Sequence, residues 1–265
     1  MTRRVPVAGG DICASYREDR AGGPVFVKEL DGAPAGFFAA EARGLDRLRV
    51  DGGPPVPAVV EVTDRSLALE WVDTGPPRSA AAARFGAALA HLHAAPEDRF
   101  GGPGFAATVP LDARSSDDWA TFFARARLLP LVRSARDDGS LSAAGAAAVE
   151  AVCDRLGELV PAEPPARLHG DLWSGNLLWG ADGRVWLVDA AAAHAGHRET
   201  DLALLALFGA PHLDRLEAAY AEVAPLAEGW RERQGIHQLH PLLLHAVLFG
   251  GGYGAAVERQ AAHYL

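Results

Sequence analysis

Leu168-His169-Gly170-Asp171-Leu172-Trp173-Ser174-Gly175-Asn176 opens the stretch whose reading decides the fold, and Leu177 to Asp189 completes it. Asp171 and Asn176 stand five residues apart on what must be a tight loop. Leu177-Leu178-Trp179 and Val185-Trp186-Leu187-Val188 then read as two short strands joined by a turn through Gly180-Ala181-Asp182-Gly183, with Asp189 closing the second strand. That order suits phosphoryl transfer. One carboxylate takes the proton of an attacking hydroxyl, while an amide oxygen and a second carboxylate hold the Mg²⁺ that neutralises the phosphates. Asp171 is therefore expected to be the base, and Asn176 and Asp189 the metal ligands. A polar loop that merely closes a hairpin would explain one aspartate, but not the ordered set.

Composition sharpens this. Of the 25 basic residues only one, Lys28, is a lysine, and Asn176 is the single asparagine. A chain so rich in Ala, Gly and Arg keeps these two residue types where kinase chemistry needs them. Arginine cannot simply replace a phosphate-contacting lysine, because a planar fork differs from a compact ammonium on a flexible stem. His-x-Asp-x-x-x-x-Asn is also the spacing of a protein-kinase catalytic loop, with Gly170 where those enzymes carry Arg.

The 265 residues suffice for one large domain or two lobes. A chain 49% hydrophobic and 22% charged should be compact. A net charge of −9 argues against a nucleic-acid binder, which would show a basic face. No apolar run reaches the ~18 residues of a membrane span, and no basic-then-apolar leader opens the chain. Cys13 and Cys153 lack metal spacing and suit a reducing cytoplasm.

Residues 1–72 read as a small β-rich lobe. Val5-Pro6-Val7 leads to Gly9-Gly10, whose amides could approach phosphate oxygens, and Ile12 to Arg17 returns as a strand. A turn through Asp19 to Pro24 delivers Val25-Phe26-Val27-Lys28, with the sole lysine on the third strand, where a kinase places its phosphate lysine. Ala35 to Leu48 is an amphipathic helix carrying Glu41, the candidate partner of Lys28. Val59 to Val62 and Leu67 to Trp71 form a hairpin. Leu69-Glu70-Trp71-Val72 then reads as the connection between lobes, with Glu70 and Val72 offering backbone groups to an adenine edge.

Residues 73–265 are mostly helical. Ser79 is expected to cap a helix from Ala80 to about Ala94. His91 and His93, two apart, cannot share a helix face for a metal and should take surface or capping roles. Phe100 to Phe105 reads as glycine-rich loop. Further helices are expected over Asp117 to Leu129, Ser142 to Leu159, Glu199 to Phe208, Leu213 to Glu222 and Gln238 to Phe249. Thr200 or Asp201 could cap the helix beginning at Glu199.

Several segments together resemble the fructosamine kinase (ketosamine 3-kinase) family, a branch of the aminoglycoside-phosphotransferase and choline-kinase-like fold. They are Gly9-Gly10, Phe26-Val27-Lys28, Glu41 with Gly44-Leu45, Leu69-Glu70, Leu89 to His93, Asp118-Trp119 with Phe122-Phe123 and Arg127-Leu128, His169 to Asn176, Gly196-His197-Arg198-Glu199 with Asp201-Leu202-Ala203, Leu207-Phe208-Gly209, and Leu248 to Tyr253. The resemblance spans nearly the whole chain. Trp173-Ser174 and Gly196 to Glu199 separate it from the aminoglycoside relatives. It implies an α+β, bilobal protein kinase-like fold, with ATP and Mg²⁺ used to phosphorylate a sugar hydroxyl on a small-molecule ketosamine or glycated amine, the 3-hydroxyl of fructosamines or ribulosamines. The role would be deglycation repair, with neither nucleic acid nor membrane as partner. The residues alone support an ATP:alcohol phosphotransferase acting on a small polar acceptor.

Trp173, two residues after the base, is expected beside the acceptor hydroxyl. His197, Arg198 and Glu199 follow the metal aspartate by eight to ten residues and are expected to reach the acceptor; the alternative is that they brace the catalytic loop through ion pairs. The sequence departs from the family in Asp189-Ala190-Ala191, where Pro-Ala is common, in His194 at a usual aromatic position, and in Cys13-Ala14 where an Asn often stands. The rival readings are an aminoglycoside or choline kinase-like enzyme and a catalytically dead nucleotide-binding module.

Overall fold

The alternating segments at the N-terminus build one antiparallel sheet in the order β1-β2-β3-β5-β4. Its strands are β1 (Arg3–Pro6), β2 (Ala14–Arg20), β3 (Gly23–Glu29), β4 (Val59–Val62) and β5 (Ser66–Glu70), with α1 (Phe37–Leu48) inserted after β3. The computed structural model describes residues 3–7 and 12–265, so Gly9 and Gly10 lie outside the described residues. The turn between β2 and β3 is tighter than the sequence suggested, since Arg20 already pairs with Gly23. Alternation along β3 decides what each side chain meets. Val25 and Val27 cluster with Ala68, while Phe26 on the opposite face packs against the main core. Lys28 shares the face of Phe26, which turns it inward.

The rest of the chain is mainly helical: α2 (Ser79–His93), α3 (Trp119–Phe122), α4 (Leu129–Asp137), α5 (Ala143–Leu159), α6 (Glu199–Phe208), α7 (Leu213–Val223), α8 (Gln234–Phe249) and α9 (Tyr253–Ala262). No helix among the described residues is long and apolar enough to cross a membrane. Short strands thread between the helices: β6 (Phe100–Gly101), β7 (Gly104–Ala106), β8 (Val109–Leu111), β9 (Ser115–Ser116), β10 (Ala166–Leu168), β11 (Leu177–Trp179), β12 (Val185–Leu187) and β13 (His194–Gly196). Four of them form a sheet in the order β10-β13-β6-β9. One core cluster joins α1 and β5 to α2, α7 and the β11–β12 hairpin; a second fills the space among α3, α4, α5, α8 and α9.

Several expectations need correction. Ser79 lies inside α2, whose cap residue is Arg78 without a side-chain bond, whereas Ser142 does cap α5 by accepting from Gly145 N at 2.9 Å. The segment Phe100 to Phe105, read as loop, holds β6 and the start of β7. The helix expected over Asp117 to Leu129 starts at the Asp118 cap and widens into π-helical turns over Phe123–Leu128. Pro130 accounts for the widening: it has no N–H for the Ala126 carbonyl, which instead accepts from Arg127 Nη1 at 3.2 Å.

Candidate active site

The β11–β12 hairpin positions both expected metal ligands. Its register pairs Leu177 with Leu187, Leu178 with Trp186 and Trp179 with Val185, and Leu177, Val185 and Leu187 are buried. Asn176 and Asp189 therefore leave the same end of one hairpin, and Val188 N donates to Asn176 O at 3.2 Å beside them. Asp189 has φ 60° and ψ 47°, a left-handed conformation that a non-glycine residue adopts at a cost. The turn after it, Ala190–Ala192, packs against α1. A side chain at Gly44 would overlap the Ala190 carbonyl, so that glycine lets helix and turn meet. One turn earlier on α1, the buried Glu41 receives two hydrogen bonds from Lys28 Nζ, at 2.9 and 3.2 Å. Lys28 Nζ also contacts Asp189 Oδ1. Burial opposes the lysine's charge, but Glu41 and then Asp189 outweigh it and hold the ammonium pKa above the ordinary lysine value.

Asp171, the expected base, is held from behind. Asp201, fully buried on α6, accepts from His169 N at 2.8 Å and Gly170 N at 3.0 Å, pinning the loop backbone. His169 Nε2 donates to Val188 O at 2.8 Å, which leaves Nδ1 to accept from Asp171 N at 3.3 Å. Asn176 Nδ2 donates to Asp171 O at 2.7 Å and to its carboxylate at 3.1 Å, so the amide's Oδ1 is left for another ligand. Burial pushes the Asp171 carboxyl above the usual carboxylate range, against the opposing effect of His169. A raised pKa improves a carboxylate as a proton acceptor. Trp173 is 39% exposed, and its ring lies across Gly175, where any side chain would collide with it.

Glu70 ends β5, and Val72 stands in the connection after it. The Glu70 carboxylate accepts from Ala58 N at 3.1 Å and the Glu70 N–H donates to Ala58 O at 2.8 Å, which turns both toward the start of β4. A cavity of about 320 Å³ lined by Arg49, Pro54, Val56, Glu70, Arg184 and Trp186 includes none of Lys28, Asp171, Asn176 or Asp189.

Comparison with known proteins gives the family. The family model for fructosamine kinase matches residues 1–265. A probable ketoamine kinase of Thermus thermophilus is 37% identical over 257 residues, covering 96% of this chain and 91% of the relative. One from Enterococcus faecium is 33% identical over 263 residues, covering 96% and 92%. A crystal structure assigned as a fructosamine-3-kinase from Thermobifida fusca superposes with TM-score 0.92 at 48% identity, covering 98% of this chain and 92% of that one. The chain belongs to the fructosamine kinase family. It is a phosphotransferase, with a β-sheet N-terminal region and a helical C-terminal region. A thermostable mutant of the aminoglycoside phosphotransferase APH(4)-Ia shares the fold at TM-score 0.65 and 14% identity, covering 98% of this chain and 92% of that one.

Within this kinase, the structure does not bring His197 and Glu199 to an open surface, and Arg198 is only partly exposed. His197 and Glu199 are fully buried, and a side chain with no exposed surface cannot touch an acceptor. Glu199 accepts from Arg233 at 2.8 and 2.6 Å, and Arg198 forks onto Glu163 at 2.6 and 2.7 Å. Ligand atoms of His197, Glu199 and His237 lie within 4.8 Å of one another, as a metal site would require, but Arg233 already occupies both Glu199 oxygens. His237 and Arg233 hold Glu199 down to about 2 against burial, and burial lowers His197 to about 4, so a neutral imidazole sits beside the ion pair.

His93 also departs from expectation. It is buried, with Nε2 3.3 Å from Asp201 and Nδ1 2.9 Å from the Tyr220 hydroxyl. Sequence reasoning therefore missed Asp201 and His93 as the support beneath the loop. Their signal was an acid in the first turn of an otherwise apolar helix and a histidine on the buried side of α2.

Proposed function

We propose that this kinase transfers the γ-phosphoryl group of ATP to the 3-hydroxyl of a ketosamine, with Asp171 as the base and Mg²⁺ between Asn176 and Asp189. The observation that carries it is a chain of contacts among four groups: the Lys28–Glu41 pair, Asp189 in contact with that lysine, Asn176 bonded to Asp171, and Asp171 itself. The donor set suits Mg²⁺, a hard cation that takes oxygen ligands: an amide Oδ1 left over at Asn176 and an Asp189 side chain 44% exposed. When bound, the ion would neutralise charge on the phosphates. Asp171 accepts the proton of the attacking hydroxyl, and the two Asn176 bonds keep its carboxylate aimed. Lys28, steadied by Glu41, takes a phosphate oxygen in place of the Asp189 contact. Glu70 and Val72 backbone groups meet the adenine.

In this reading residues 1–72 form the nucleotide lobe and 73–265 the acceptor lobe. The free thiols Cys13 and Cys153 suit a cytoplasmic setting, and release of the phosphorylated sugar would make the role deglycation. Trp173 lies against the acceptor, whereas His197, Arg198 and Glu199 act as braces. The test is a kinetic split. Trp173→Ala should raise the KM for a ketosamine and leave that for ATP alone, and the parent should use simple aminoglycosides poorly. Efficient phosphorylation of an aminoglycoside without turnover of any ketosamine would contradict the reading.

A further inference from the structure

Arg127 carries a charge that the fold leaves unanswered. It is 2% exposed, on the π-helical turns ahead of α4, and its guanidinium lies over the Phe122 ring at 4.6 Å. Nη1 donates to two backbone carbonyls, Asp112 O at 3.0 Å and Ala126 O at 3.2 Å. Nε and Nη2 are buried without a hydrogen-bond partner among the described residues, and none of the described carboxylates pairs with the group. The acids whose charge reaches this region, Asp112 and Asp201, are engaged elsewhere. Asp112 accepts from Arg114 Nε at 2.8 Å, and Asp201 accepts from the His169 and Gly170 N–H groups. A buried charge is ordinarily paired, because leaving water without a partner is costly. Burial accordingly lowers Arg127 to about 10.

A cavity of about 10 Å³ adjoins Arg127 and is lined also by Phe122, Gly170, His194, Gly196 and His240. That is room for one water-sized particle, and too little for a phosphate or a carboxylate. Burial, and then the Arg127 charge, lower His194 and His240 to about 3, so both rings are neutral at physiological pH. The wall therefore holds one positive charge and no negative one. A water would fill the space without neutralising it. We propose that this cavity binds a chloride ion as the counter-ion of Arg127, and that the ion activates the kinase by steadying Gly170. Gly170 stands next to Asp171 in the catalytic loop. A Cβ on it would meet Ala192 O at 2.3 Å and His194 Nδ1 at 2.8 Å, so loop and turn touch directly beside the cavity. An ion that draws Arg127 against this wall stiffens the backbone beside the base. A chain of net charge −9 attracts few anions to its surface at large, so a halide effect reports a local site.

The binding test needs no acceptor. Tm is compared in sodium chloride, sodium bromide and sodium gluconate at one ionic strength, gluconate being too large for the cavity. At about tenfold its dissociation constant the halide should raise Tm by about 3 °C over gluconate, and the rise should saturate. Arg127→Met should lose that rise. Crystals of the parent grown in sodium bromide should show anomalous scattering in the cavity beside Arg127, a reading that does not depend on the variant folding. With a deoxyfructosyl-lysine peptide as acceptor, saturating chloride should raise the parent's kcat about fivefold over gluconate, the low end of coupling between two sites. The KM for ATP should not move. A Tm equal in all these salts, bromide bound only at the surface as an adventitious ion only, or a kcat indifferent to chloride would each overturn the inference. A parent that turns over no ketosamine would overturn the reading above instead, and the thermal and crystallographic results would still decide this one.

Discussion

Glu41 and Glu199 each bind a cation from a distant element, Lys28 of β3 in the first case and Arg233 at the start of α8 in the second. Both carboxylates are buried, and both stand in motifs that read as functional. The difference lies in what surrounds them. The Lys28–Glu41 pair touches a third group, Asp189, whose side chain is 44% exposed, and a single ammonium can exchange that contact for a phosphate oxygen. The Glu199–Arg233 pair is closed: both carboxylate oxygens are filled by one planar fork, and fully buried imidazoles of His197 and His237 seal the site. One is an ion pair left open to a ligand, the other a fastening. Charge and spacing look alike in both; exposure of the next polar group separates them.

The largest expected effect breaks the open side. Asp171→Asn should lower kcat by about 10²–10⁴-fold, the usual worth of a positioned base, and steady-state kinetics checks this. Stability should move the other way. A carboxyl whose folded pKa is raised contributes stability below its ordinary value of 3.8, and that contribution is lost as pH rises through the folded pKa. At neutral pH the ionised Asp171 is thus a burden, and the Asn variant should melt no lower than the parent. A variant that keeps its turnover would remove Asp171 from the mechanism.

The closed side should respond in reverse. Glu199→Gln leaves the Arg233 fork buried without its counter-charge, a loss of about 3–5 kcal/mol in stability, measurable by urea unfolding. The KM values of the folded fraction should stay put. Because Glu199 is held at about 2, its contribution is present above its ordinary value of 4.5 and is lost as pH falls from there toward 2. Acid unfolding of the parent over that window, absent as a separate loss in the variant, would sharpen the contrast. An unchanged melting curve with a raised ketosamine KM would return Glu199 to the acceptor site. A smaller effect is expected from Gly175→Ala, which displaces the Trp173 ring and should raise the ketosamine KM by about 3–10-fold, the worth of a ring contact.

How far the sequence could be read follows from the same contrast. The hairpin with Asn176 and Asp189 at its ends, the third-strand lysine and the helix carrying Glu41 were all legible, because strand alternation, a glycine turn and an amphipathic period are local signals. β10 and β13, three residues each, were not. They exist through pairing across the chain and carry too few residues for a pattern. The π-helical turns before Pro130 lay hidden inside an ordinary helical period. His93 and Asp201 were legible as residue types but not as partners, since 108 positions separate them and only the fold brings them together. His197 and Glu199 were misplaced for a related reason: closeness in sequence to Asp189 says nothing about which way a helix start faces.

The most direct test of the account is phosphorus NMR of the purified protein with ATP, Mg²⁺ and the deoxyfructosyl-lysine peptide, run beside Asp171→Asn. The account predicts a phosphate monoester growing on the sugar, coupled to the proton on carbon 3, as γ-phosphate disappears from ATP, with its formation suppressed in the variant. ATP consumed to inorganic phosphate with no sugar ester, or an ester formed equally fast by both proteins, would contradict it.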